Sequence, residues 1–153
     1  MSDVVLVCVD ESALSHRAVA AGMAFVDPAL TPVFVTVIET ADPSLVTGTG
    51  MAGGSMSVDE YRQLEEDRLA AANQYLEEAA AALDLVGSRT IVLEGQPGQA
   101  ICALAETEDA TAIVIGSRGR SGFKRAVLGS VSDHVVRHAP CPVVVTSAAA
   151  EHD

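Results

Sequence analysis

Residues 4–9, Val4-Val5-Leu6-Val7-Cys8-Val9, form an apolar run without a polar interruption, and most of it is β-branched. A strand with one wet face alternates apolar and polar side chains. An unbroken run belongs to a strand covered on both faces, as in a parallel sheet layered between helices. Similar runs return at residues 33–38, 90–93, 112–115 and 143–146.

Helical signals fill the gaps. Asp10 ends the first strand, and Ser12 can cap a helix in which Leu14, Ala18, Ala21 and Phe25 recur at helical spacing until Asp27-Pro28. Residues 39–57 set Gly48, Gly50, Gly53 and Gly54 among Ser, Thr and Met without periodicity, which predicts a mobile surface loop. Ser57 or Asp59 opens the longest helix, with Leu69, Ala72, Leu76, Ala79 and Leu83 as its apolar stripe and Gly87 as its end. Pro97 starts a helix reaching about Ala105, and another runs from about Ser130 to Arg137. The order β-α-β-α-β-α-β-α-β predicts one α/β domain over residues 1–153, a five-stranded parallel sheet with helices on both faces. Residues 148–153 read as a frayed tail.

Charge narrows the function. Nine Lys+Arg against 21 Asp+Glu give a net charge of -12, so nucleic acid is an unfavourable partner. No apolar run reaches the roughly 18 residues of a membrane span, and Met1-Ser2-Asp3 lacks the basic opening of a signal peptide. Cys8, Cys102 and Cys141 form no CxxC pair, which suits a reducing compartment. A cytoplasmic protein without membrane contact is expected. Lys124 is the single lysine among many alanines and carboxylates. That mixture suits a protein kept soluble in concentrated salt, where self-repulsion is screened; a GC-rich genome would give the same bias.

In parallel sheets ligands bind beyond the carboxyl ends of the strands, where strand order reverses. Those ends are Asp10, Ile38-Glu39, Glu94 and Gly116. Gly48-Thr49-Gly50-Met51-Ala52-Gly53 matches GxGxxG, yet it trails the second strand by about ten residues. The dinucleotide fingerprint belongs in a tight strand-to-helix turn, so NAD or FAD binding is not expected. The acidic groups Glu65-Glu66-Asp67 and Glu77-Glu78 point apart around a helix and read as a solvated face. His134 and His138 have a chelating i,i+4 spacing without an evident third ligand, so no metal is expected there. His16 and His152 should be exposed, and Cys8 should lie in the core.

The richest segment is Gly116-Ser117-Arg118-Gly119, nine residues, then Gly129-Ser130. Gly116 lets the chain turn away from its strand, and Gly119 lets backbone approach a phosphate closely. Gly129 and Ser130 stand where the first free N–H groups of a helix point outward, a ready anion site. Arg118, Arg120, Lys124 and Arg125 concentrate four of the nine basic residues beside it. On spacing alone, a glycine-bearing turn with a serine cap and no ligand is equally compatible.

This segment, followed by His138-Ala139-Pro140-Cys141-Pro142-Val143-Val144-Val145, resembles the ATP-binding branch of the universal stress protein family. The opening Val5-Leu6-Val7-Cys8-Val9-Asp10-Glu11-Ser12 is similar to that family's first strand and acidic-plus-Ser turn. The resemblance covers essentially the whole chain. It implies a Rossmann-like (adenine nucleotide α-hydrolase-like) sandwich that binds ATP, pairs as a homodimer and serves stress tolerance or signalling. Carried over, Gly116, Gly119, Gly129 and Ser130 would hold phosphates and ribose, and Val131 would donate from its backbone. Asp10 would lie near the ribose and phosphates, with Mg2+ as an intermediary, and Val37 would meet adenine through its backbone. Cys8 and Glu11 depart from a frequent proline and glycine. The rival readings are a slow ATPase or phosphotransferase using Asp10 with Mg2+, and a nucleotide-free interaction module. The dimer is expected through the last strand as an uncharged edge, with Val144 as the ladder donor whose loss should break it.

A net charge of -12 implies a folded state that gains from screening. The thermal midpoint should rise by at least about 3 °C between low and molar KCl, the shift that roughly 1 kcal/mol gives a chain of this size. A flat or falling midpoint in those melts would leave the composition to genome bias.

Overall fold

The apolar runs do become strands. In the computed structural model, which describes residues 2–40, 56–117 and 128–147, β1 is Val4–Cys8, β2 Thr31–Ile38, β3 Arg89–Glu94, β4 Ala112–Gly116 and β5 Val143–Thr146. All five are parallel, in the order β3-β2-β1-β4-β5. Strand order therefore reverses between β1 and β4. The helices α1 (Ala13–Met23), α2 (Val58–Ala82), α3 (Pro97–Thr107) and α4 (Ser130–His138) make the crossovers. No helix among the described residues is long and apolar enough to cross a membrane.

Alternation along each strand sends side chains to two cores. Val5, Val7, Phe34 and Val114 face α1 and α2, where Val19, Leu76 and Ala79 cover them. Leu6, Cys8, Val33, Val35, Ile113 and Ile115 face α3 and α4, with Ile101, Ala105 and Val135 above them. Helix starts follow local chemistry. Ser57 and Glu60 form a reciprocal capping box on α2, and Pro97 opens α3.

Local expectations in α1 and α2 need correction. Phe25 lies beyond α1 and is 81% exposed, and Ala21 is exposed too, because α1 buries the face carrying Ala18, Val19 and Gly22 instead. Leu69 is 43% exposed, so the buried stripe of α2 begins at Ala72. Helix α2 ends at Ala82 with Leu83 as its C-cap, Asp84 follows at φ 58°, and Gly87 serves the next turn at φ 87°. The stretch at 39–57 is described only at 39–40 and 56–57, and the proposed tail at 148–153 lies outside the described residues.

Helix α1 crosses β4 at Gly22, where a Cβ would stand 2.5 Å from Val114 Cγ1 and 3.3 Å from Thr146 Oγ1. The Thr146 hydroxyl also donates to the Ala18 carbonyl on the same helix. Gly22→Ala would gain about 1 kcal/mol of helix propensity. Overpacking against a fully buried valine costs about 1–3 kcal/mol, so steric cost should win. Urea unfolding should show a net loss of roughly 1 kcal/mol, and an unchanged or higher midpoint would contradict this account of the contact.

Candidate functional site

A cleft of about 440 Å³ opens at the carboxyl ends of β1, β2 and β4, at the point where strand order reverses. Asp10, Val37, Gly116, Gly129, Ser130 and Val131 all line it. Gly119 and the basic residues Arg118, Arg120, Lys124 and Arg125 lie outside the described residues. Pro97 and Ile101 form the α3 side, and Arg68 and Ala71 form the α2 side.

The α4 end of the cleft is main chain. Strand pairing continues past Gly116, because the Ser117 N–H donates to the Thr146 carbonyl at 2.7 Å, so the chain does not yet turn at Gly116. Gly129, not Ser130, is the N-cap of α4, and its N–H donates to the Ser117 carbonyl at 2.6 Å. That corrects the expectation of a free Gly129 donor. The first intrahelical bond runs from Asp133 N–H to the Gly129 carbonyl at 2.9 Å. Helix geometry therefore leaves the N–H groups of Ser130, Val131 and Ser132 without intrahelical acceptors, and no side chain caps them. Gly129 has φ -71° and ψ 166°, a conformation open to any residue. Its value here is the missing side chain, which leaves the helix end bare.

Ser132 is 2% exposed, and its hydroxyl meets the carbonyls of Ser117 and Gly129, both at 3.1 Å. Sequence reading missed it. The signal available was a serine two places after the Gly129-Ser130 pair, on the buried face of α4.

The β1–α1 corner is organised by Asp10. Its Oδ1 accepts the Ser12 N–H at 2.8 Å, and its own N–H donates to Ser15 Oγ at 2.9 Å. Ser12 does occupy the N-cap position but makes no side-chain cap bond. Its hydroxyl, His16 Nε2 and the Tyr75 hydroxyl are buried without hydrogen-bond partners among the described residues. His16 is half-buried with its ring 4.9 Å from that of Tyr75, against the expectation of an exposed histidine. Burial, then the nearby carboxylates of Asp10 and Glu11, push the Tyr75 hydroxyl well above its ordinary range. It stays a neutral phenol.

Two other candidates for chemistry resolve into packing. Burial pushes the Cys8 thiol up to about 12, with Cys102 and Cys141 adding to the effect, so it is no nucleophile at neutral pH. The rings of His134 and His138 stack at 4.2 Å, and His134 packs on Gly98 so closely that a Cβ there would lie 2.7 Å from the ring. No group of three or more His, Cys, Asp or Glu among the described residues could hold a metal ion.

The family model for the universal stress protein family matches residues 1–147. This chain belongs to the universal stress protein family. Universal stress protein YxiE of Bacillus subtilis is 29% identical over 150 residues, 95% of this chain and 99% of that one. Universal stress protein MJ0577 of Methanocaldococcus jannaschii is 32% identical over 99 residues, 63% of this chain and 61% of that one. The solved structure of MJ0577 superposes with a TM-score of 0.70, covering 94% of each chain at 25% identity. The first four curated relatives are matched over only 33%, 61%, 60% and 62% of their own lengths.

Two further universal stress protein structures share the fold and carry nucleotides. One is a complex with cAMP, with TM-score 0.63, 22% identity and coverage of 95% and 97%. The other, from Arabidopsis thaliana with AMP bound, has TM-score 0.59, 18% identity and coverage of 94% and 90%. In this universal stress protein three acidic residues, Asp10, Glu11 and Glu39, line the cleft. Arg68 is the one cation among the described lining residues. It was passed over in the sequence because Glu65-Glu66-Asp67 precede it and make the segment read as solvated.

Proposed function

We propose that the cleft binds an adenine nucleotide, with ATP as the physiological ligand, and that the protein acts as a nucleotide-dependent stress-response or signalling module in the cytoplasm. The observation that carries this reading is the bare N-terminus of α4. The N–H groups of Ser130, Val131 and Ser132 open beside Gly116 and Gly129 in a cleft large enough for a nucleotide. Fold neighbours holding cAMP and AMP support the adenine class. In this reading Gly116, Gly119, Gly129, Ser130 and Val131 serve phosphate and ribose, and Val37 meets the base through its backbone.

Asp10 fits a supporting role. One of its oxygens is occupied by the Ser12 N–H, which leaves the other for the ribose or for Mg2+ held mainly by phosphate oxygens. Main-chain donors that grip a phosphate equally before and during reaction raise affinity without lowering a barrier, so binding rather than turnover is proposed. Gly129→Val should fold, because valine tolerates the glycine's φ and ψ. It should lose ATP affinity at least tenfold, about 1.4 kcal/mol, by calorimetry. Unchanged affinity in the folded variant would remove this helix end from the site.

We also propose a homodimer through β5. It is an edge strand, and Val143–Thr146 carries no charge to blunt it. The expected role of Val144 needs correction. Carbonyls of Pro142 and Thr146 accept from Ile113 and Ser117, so even-numbered residues of β5 turn their main chain toward β4. Val143 and Val145 face the open edge, and removing the Val144 donor would damage the sheet itself. Val145→Pro is the informative change: it should shift a wild-type dimer toward monomer in sedimentation at micromolar concentration. A monomeric wild type would sink the proposal.

A further inference from the structure

The α4 end of the cleft is built from main chain, whereas the opposite end depends on a side chain. Arg68 stands half-buried on α2 at the partition between the main cleft and a smaller hollow of about 240 Å³ walled by Glu39, Glu65 and Glu94. Despite those carboxylates, no hydrogen bond or ion pair ties its guanidinium to the described residues. A guanidinium held at a cleft wall with its donors unused is available to a ligand.

Position says which part of the ligand it can reach. Helix α2 lies over β2 and β3, whereas the free donors of α4 stand beyond β4. β2 and β4 flank β1, and strands are about 4.8 Å apart, so the two ends of the cleft are separated by roughly 10 Å. Arg68 therefore stands at the end of the cleft opposite the α4 donors. The other residues that line the cleft from the two helices are small or apolar, Ala71 on α2 and Pro97 and Ile101 on α3, and suit the face of a base better than a charged group.

Resting on the adenine-nucleotide reading above, we propose that Arg68 is the specificity-determining residue of the cleft, laying its planar cation against the face of a purine base. A guanidinium over a π-face gains with ring area and needs no phosphate. The residue thus selects purine over pyrimidine and acts equally on nucleoside and nucleotide.

The test measures binding of adenosine, ATP and UTP to the full chain by calorimetry. Wild type is compared with Arg68→Ala, Arg68→Gln, Arg68→Lys and Gly129→Val, each checked for an unchanged melt; a partly exposed surface arginine gives two neutral variants a good chance to fold. Arg68→Ala and Arg68→Gln should weaken adenosine and ATP by the same factor, about fivefold, and narrow the preference for ATP over UTP. Arg68→Lys should recover part of the loss, and Gly129→Val should weaken ATP by a larger factor than adenosine. Loss of ATP alone in Arg68→Ala would make Arg68 a phosphate cation, and no loss of either ligand would remove it from the site; both overturn the proposal while nucleotide binding stands. A wild type that binds neither adenosine nor ATP would overturn the nucleotide reading and this inference with it.

Discussion

The Ser117 carbonyl oxygen accepts the Gly129 N–H at 2.6 Å and meets the Ser132 hydroxyl at 3.1 Å, and the cleft depends on this clamp. Ser117 lies just past β4 and Gly129 just before α4, so the bonds join the end of a central strand to the start of a helix. They fix where α4 begins and which way its first N–H groups open. The clamp is itself nearly dry: Ser117 is 9% exposed and Ser132 2%. An unpaired hydroxyl there would cost about 1–3 kcal/mol, which favours the paired arrangement strongly.

Close packing supplies the second constraint. A sheet covered on both faces can be approached closely only by helices that present small residues, and these helices do so. Ala18 and Gly22 bring α1 down on β4 and β5, Ala72, Ala79 and Ala80 line the inner face of α2, and Ala105 does the same for α3. Among the described residues Phe34 is the largest fully buried side chain. The core is thus filled mainly by valine and isoleucine from the strands, a volume that tolerates little addition from the helices.

The strands were legible because continuous β-branched runs have few other homes, and all five appear within about two residues of their expected bounds. The gathering of Asp10, Ile38, Glu39 and Gly116 at one cleft followed from the same reading, since strand ends in a parallel sheet share an edge. What escaped was set by tertiary geometry. A left-handed Asp84 ended α2 before the more conventional Gly87 could. Ser12 takes the N-cap position without a side-chain bond, and Asp10 instead holds its N–H in a turn. The outward parity of Val143 and Val145 depends on register with β4, which no pattern within β5 encodes. Arg68 was hidden among acids because a helix face shows its purpose only when the neighbouring strand ends are in place.

The bare start of α4 also bears on how this protein can change over generations. Donors that belong to the peptide backbone have no rotamer to misplace and do not titrate between acid and neutral pH. Most substitutions at Val131 or at the exposed Ser130 leave them in place as long as the helix forms. Such a grip is robust to drift but hard to retune by point mutation. Diversification at this cleft therefore falls to the side chains around it, and a single helix face can carry new preferences while the anchoring end stays as it is.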